Sequence, residues 1–171
     1  MVFIEAFINS LKLPSKKAMF KLNRISMDYV VFYLFFLIAI MLIPRLVVQL
    51  KVSDGLVDRL PIILKLVYFF MFNYLPLTIA VFIFITILAY IGVFIAKLLN
   101  RKLRLQIVWK LIAFTTTIPF LLYMLLSAFY PISDVYLLFA MLYSLILLTL
   151  MILKFPQRRK KISTNKTDSS K

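Results

Sequence analysis

Three consecutive hydroxyl side chains, Thr115, Thr116 and Thr117, precede Pro119 inside the otherwise apolar run WKLIAFTTTIPFLLYMLL. A hydroxyl becomes a nucleophile only beside a base. The chain has no histidine and no cysteine. A hydrolase built on Ser127 or Ser144 would lack its base for the same reason, with no lysine at that depth. What the notch can do is hydrogen bond. Pro119 has no amide hydrogen, so the Thr115 carbonyl loses its helical partner. In lipid that group needs a neighbouring helix, a hydroxyl or water. Each threonine can bond back to carbonyls in the turn Leu111 to Ala113 and help bend the helix. Side chains at consecutive helical positions point about 100° apart, so the three cannot share one pocket. Two readings stand: a kink whose hydroxyls satisfy themselves, or a hinge and small polar site facing Asn73 or Thr78 across the bundle.

Asn73 with Pro76 forms a second notch, read as a break between two helices or as a re-entrant element lining a cavity. No acid or base accompanies it, and intramembrane charge is the usual mark of an ion pathway. The six acids are Glu5, Asp28, Asp54, Asp58, Asp134 and Asp168. Only Asp54 and Asp58 lie close together, and two carboxylates without further ligands seldom hold calcium. No metal and no cofactor is expected. The basic residues are the other chemical feature. Lys97, Arg101, Lys102, Arg104 and Lys110 fall in KLLNRKLRLQIVWK, where they can anchor on the headgroups of anionic lipids at about 1 kcal/mol per cation. Trp109 suits a bilayer interface beside them.

These residues must be positioned by elements that composition identifies. Of 171 residues, 64% are hydrophobic, and the mean hydropathy is +1.01. Too few polar residues remain to cover a soluble surface. The uncharged runs suit helices of roughly 20 residues, enough to cross a core of about 30 Å. They are apolar on all faces, unlike the alternating strands of a barrel. The expected fold is an all-α integral membrane protein with four transmembrane helices and an N-terminal interfacial amphipathic helix. Residues 1–25 form an amphipathic, basic segment, with Pro14 ending the first helix and Ser15 capping the next. Spans are expected at about 26–44, 74–97, 109–130 and 135–154. Residues 45–73 form a short extracytoplasmic and interfacial segment. An uncharged run as long as Leu66 to Ala96 would make a helix of about 46 Å, so a break at Asn73 and Pro76 is expected. The basic tail 155–171 is expected to be disordered.

Most of the 21 lysines and arginines then lie on one side. By the positive-inside rule that side, with both termini, is cytoplasmic. Orientation thus accounts for the net charge of +15, and no nucleic-acid partner is needed; the RRKK of the tail lacks interleaved aromatics.

Two segments, FINSLKLPSKKAMFKLNRI and VWKLIAFTTTIPFLLYML, resemble a Gram-positive bacterial family of multi-span membrane proteins of unknown function. Its members carry an amphipathic start, an S-L-x-x-P-K/S-K-x-A-x-F-type cytoplasmic segment and a W/Y-x-x-A-x-x-T-I-P-type penultimate span. The resemblance covers about a third of the chain. Those relatives have a much longer extracytoplasmic segment between the first two spans than residues 45–72 provide here. Some are associated with maltodextrin-utilisation operons, and their architecture is similar to the Yip-type membrane proteins, non-catalytic factors of membrane traffic. The resemblance implies a non-catalytic membrane protein that binds or organises lipids, a membrane-protein partner or further copies of itself. The alternative it implies is a small permease, or an accessory subunit of a sugar (maltodextrin-type) uptake system.

Overall fold

A computed structural model describes residues 2–51, 61–101, 103–127, 129 and 135–155. The regular elements among the described residues are all helical: α1 (Val2–Leu11), α2 (Lys16–Arg24), α3 (Met27–Met41), α4 (Ile43–Lys51), α5 (Ile62–Phe69), a π-helical turn (Phe70–Tyr74), α6 (Leu75–Leu98), α7 (Leu105–Thr115), α8 (Thr117–Ser127) and α9 (Val135–Lys154). Three continuous helical paths are long and apolar enough to cross a bilayer: Met27–Lys51, Ile62–Leu98 and Leu105–Ser127. α9 is a fourth apolar helix, of which Phe139–Lys154 makes a shorter apolar stretch. The segment 52–60, with Asp54, Asp58 and Arg59, lies outside the described residues, as do Lys102, Asp134 and the tail.

The path through α7 is the centre of the bundle. Seven consecutive residues, Leu111 to Thr117, are buried, and α7 packs on α1, α2, α3, α6, α8 and α9. A helix surrounded on every side must be apolar all round, so its polar residues need partners within the protein.

α6 shows how close packing is reached without large side chains. Its buried face carries Thr78, Ile85, Leu88, Ala89, Gly92 and Ala96, while Ile79, Ile83, Ile87, Tyr90 and Phe94 face outward. In lipid, helices associate through van der Waals fit more than through hydrophobic burial, and small residues let backbones approach. A Cβ added at Gly92 would stand 2.6 Å from Leu148 Cδ2 of α9 and 2.7 Å from Val108 Cγ1 of α7. Gly92 therefore sets the three-helix contact of α6, α7 and α9. α6 ends at Asn100, which takes the left-handed conformation at φ 53°. Asn100 N–H donates to the Lys97 carbonyl at 3.1 Å, and Arg101 N–H to the Ala96 carbonyl at 2.8 Å. This is a Schellman closure, with asparagine in place of the usual glycine.

At Asn73 and Pro76 the chain does not reverse. The helix runs on from Ile62 to Leu98 over 37 residues, about 55 Å at 1.5 Å per residue. The reason lies in the π-helical turn Phe70–Tyr74. Pro76 brings no amide hydrogen, and its ring would press on the carbonyl four residues back. Widening the turn, with Leu75 N–H reaching back to the Phe70 carbonyl, relieves that crowding without breaking the helix. The Tyr74 hydroxyl then donates to the Phe35 carbonyl at 3.1 Å and ties the turn to α3.

The N-terminal segment folds as a helical hairpin. The Ser15 hydroxyl accepts from Ala18 N–H at 3.3 Å and caps α2. α2 buries Ala18, Met19 and Leu22 and leaves Lys16, Lys17, Lys21 and Arg24 exposed. α1 buries Ala6 and Ser10 and exposes Phe3, Ile4, Ile8 and Leu11. Its inner face rests on α7 and α8, so α1 is part of the packed bundle.

Candidate functional site

The threonine notch lies where α7 passes into α8. Thr116 joins the two helices with φ −67° and ψ −12°. The Thr115 hydroxyl donates to the Leu111 carbonyl at 2.8 Å, and the Thr116 hydroxyl to the Ala113 carbonyl at 2.8 Å. These back-bonds pull on carbonyls in the turn before the α7–α8 junction. Pro119 is buried, and its carbonyl accepts from the Tyr136 hydroxyl of α9. Thr115 and Thr116 thus spend their hydrogen bonds on their own helix.

Thr117 does not. Its hydroxyl lies 2.8 Å from the Tyr33 hydroxyl of α3, which lies 3.3 Å from the Ser10 hydroxyl of α1. Ser10 donates to the Phe7 carbonyl at 2.7 Å. Tyr33 is 4% exposed, and Ser10 and Thr117 are fully enclosed. Each hydroxyl carries a single proton. Ser10 has spent its proton on Phe7, so Tyr33 donates to Ser10 and Thr117 donates to Tyr33. The chain runs Thr117 to Tyr33 to Ser10 to the Phe7 carbonyl, with every proton used once. It links α8, α3 and α1, and the Tyr33 ring packs on Phe114 with centroids 5.3 Å apart.

Across-bundle partners at Asn73 or Thr78 are not the ones used. The Thr78 hydroxyl donates to the Tyr74 carbonyl at 2.7 Å on its own helix. Asn73 is half-buried in the π-helical turn, and Pro76 is exposed. Sequence reading missed Tyr33 and Ser10. Their signal was a hydroxyl in each of two apolar runs, since a buried tyrosine hydroxyl needs a partner.

The basic residues divide into two groups. Lys97 and Arg104 are exposed and Arg101 is half-buried, around the Asn100 turn. Lys110 turns inward: its ammonium donates to the Asn23 carbonyl at 2.7 Å and the Ile25 carbonyl at 2.9 Å. These carbonyls end α2, where a cation also meets the negative end of the helix dipole. The Lys154 ammonium of α9 donates likewise to the Pro14 carbonyl, in the turn between α1 and α2. Two lysines from two helices therefore clasp the N-terminal hairpin. Trp109, next to Lys110, is 8% exposed. Its indole N–H reaches the Thr86 hydroxyl of α6 at 3.3 Å, and its ring packs on Phe82.

Chemically, the arrangement offers hydroxyls and backbone carbonyls. Among the described residues no group of three His, Cys, Asp or Glu side chains could hold a metal ion. Among the described residues the buried polar ones are Ser10, Thr78, Thr115, Thr116, Thr117 and Ser144. Of the buried side-chain polar atoms described, only Ser144 Oγ and Arg101 Nε lack a partner.

Residues 51–152 match the family model described as a protein of unknown function, DUF1189. The match covers more than half of the chain, and the chain belongs to that family. It takes in α5 to α8 and most of α9, and begins at the end of α4. No curated protein and no solved structure gives a match.

Proposed function

We propose that this chain is a non-catalytic, four-span protein of the bacterial cytoplasmic membrane that binds or organises lipids or membrane-protein partners. α9 serves as the fourth span, since its 20 residues measure about 30 Å. The Asn100 turn and the ends of α2 and α9 then lie on the cytoplasmic side with both termini, following the positive-inside rule. The exposed Ile62, Ile63 and Val67 of α5 and Phe72 of the π-helical turn are surface for lipid or a neighbouring protein.

The observation that carries the reading is the closed hydroxyl chain. Thr117, Tyr33 and Ser10 satisfy one another and end on a backbone carbonyl, so the notch stiffens the bundle instead of presenting a reactive group. The uptake alternative needs a polar path, and the centre it would cross, Leu111 to Thr117, is filled by buried side chains. Photo-cross-linking in cells at native expression, from probes at Ile63 and Phe94, tests the proposal. Recovery of defined lipid or protein adducts supports it. Recovery of the chain alone, or slower maltodextrin uptake in a deletion strain, overturns it.

A further inference from the structure

A cleft of about 520 Å³ opens between the N-terminal hairpin and the start of α3, lined by Glu5, Asn9, Lys21, Arg24, Ser26 and Tyr29. Its two walls differ in chemistry. α1 supplies acceptors: the Glu5 carboxylate, and the Asn9 side-chain oxygen. The Asn9 amide nitrogen is spent on the Glu5 carbonyl at 2.7 Å. α2 supplies the cations Lys21 and Arg24, one helical turn apart. The charged ends of Glu5, Lys21 and Arg24 carry no hydrogen bond or ion pair to other described residues. Three unspent charges of both signs thus face one space.

The cleft also has a defined apolar continuation. Tyr29, Phe32 and Phe36 follow one another at helical spacing on α3, and all three are exposed. The Phe3 ring of α1 meets Tyr29 edge-on at 6.0 Å. An aromatic stripe therefore leads from the cleft along the flank of a helix long and apolar enough to cross the bilayer. Charged walls above an exposed aromatic stripe are the shape of a headgroup site with its acyl chain.

We propose that this cleft binds a zwitterionic aminophospholipid, with its phosphate on Lys21 and Arg24 and its primary ammonium on Glu5 and Asn9. Arginine and lysine donate strongly to phosphate oxygens. A single carboxylate on the opposite wall repels a second negative charge and accepts from N–H donors, which favours an ammonium with protons over a trimethylated one. This inference rests on the membrane-embedded reading above and supplies its ligand class.

The test uses the full chain reconstituted in nanodiscs of phosphatidylcholine doped with phosphatidylethanolamine or phosphatidylglycerol, with retained lipids counted by native mass spectrometry. Wild-type protein is expected to retain one phosphatidylethanolamine at least tenfold more strongly than phosphatidylcholine. Lys21→Gln with Arg24→Gln should weaken retention on the order of tenfold. Lys12→Gln with Lys16→Gln, an equal loss of charge outside the cleft, should leave it unchanged. Glu5→Gln should reduce the preference for phosphatidylethanolamine over phosphatidylcholine while keeping phosphate binding. Equal retention of all three lipids by the wild type overturns the inference, as does stronger retention of phosphatidylglycerol or equal loss in both double variants. Since the selectivity is read on the wild type, misfolding of a variant does not rescue it. Flotation of the reconstituted chain is a separate readout: a chain that does not float refutes the membrane reading, whereas one that floats without selectivity refutes only the headgroup site.

Discussion

Replacing Tyr33 by phenylalanine removes one oxygen and leaves the ring on Phe114 in place. Two hydrogen bonds vanish, the 2.8 Å contact with Thr117 and the 3.3 Å contact with Ser10. The first has good hydroxyl geometry; the second is long for an O–H···O bond and weaker. Side-chain hydrogen bonds inside membrane bundles average about 0.6 kcal/mol and reach about 1.7 kcal/mol. Tyr33→Phe should therefore cost about 1–2 kcal/mol. Most of that should appear as coupling with Thr117→Val, about 0.6–1.7 kcal/mol in a double-mutant cycle. Ser10→Ala should couple less. Without Ser10, the Tyr33 proton can turn to Thr117, whose own proton turns back to the Ala113 carbonyl four residues earlier. Unfolding in mixed micelles, followed by the fluorescence of Trp109, the single tryptophan, measures each corner of the cycle. Strict additivity of Tyr33→Phe and Thr117→Val would refute the chain as drawn, as would a larger coupling for Ser10 than for Thr117.

Three further perturbations probe other parts of the bundle. Gly92→Ala puts a methyl within 2.7 Å of Val108 Cγ1, a stiff β-branched neighbour, and should destabilise by about 1–3 kcal/mol in the same micelle titration. An unchanged midpoint would mean that α6 sits farther from α7 and α9. Lys110→Met leaves the Asn23 and Ile25 carbonyls without their charged donor, at about 1.5–3 kcal/mol. Trypsin should then cut α2 at Lys21 and Arg24 several times faster, and equal cleavage rates would contradict the clasp. Pro119→Ala restores an amide to the Thr115 carbonyl and should straighten the α7–α8 path by about 20°. Spin labels at Gln106 and Leu126 should move apart, and unaltered distances would assign the bend to the threonines alone.

Helical character was legible in the sequence because long uncharged runs leave few other solutions. The back-bonding of Thr115 and Thr116 was legible too, being local: their partners lie within four residues. Thr117 was not, because its partner is 84 residues away and no periodicity joins α3 to α8. The proline at residue 76 was over-read as a break. A proline removes one hydrogen bond, and a π-helical turn absorbs that loss where neighbouring α3 receives the Tyr74 hydroxyl. Lys110 shows the same limit. Its position near a helix end fits a headgroup as well as a carbonyl, and only the fold places the end of α2 within its reach.

The clasp by Lys110 and Lys154 also orders events in time. The hairpin is translated early, yet its latches arrive 85 and 140 residues later. Until α7 and α8 have been made, the inner face of α1, with Ala6 and Ser10, has only α2 and Tyr33 of α3 beside it. The hairpin can therefore be latched at both of its ends only once α7 and α9 are in place. Closure of the hairpin is thereby coupled to the arrival of α9, the helix that carries Lys154.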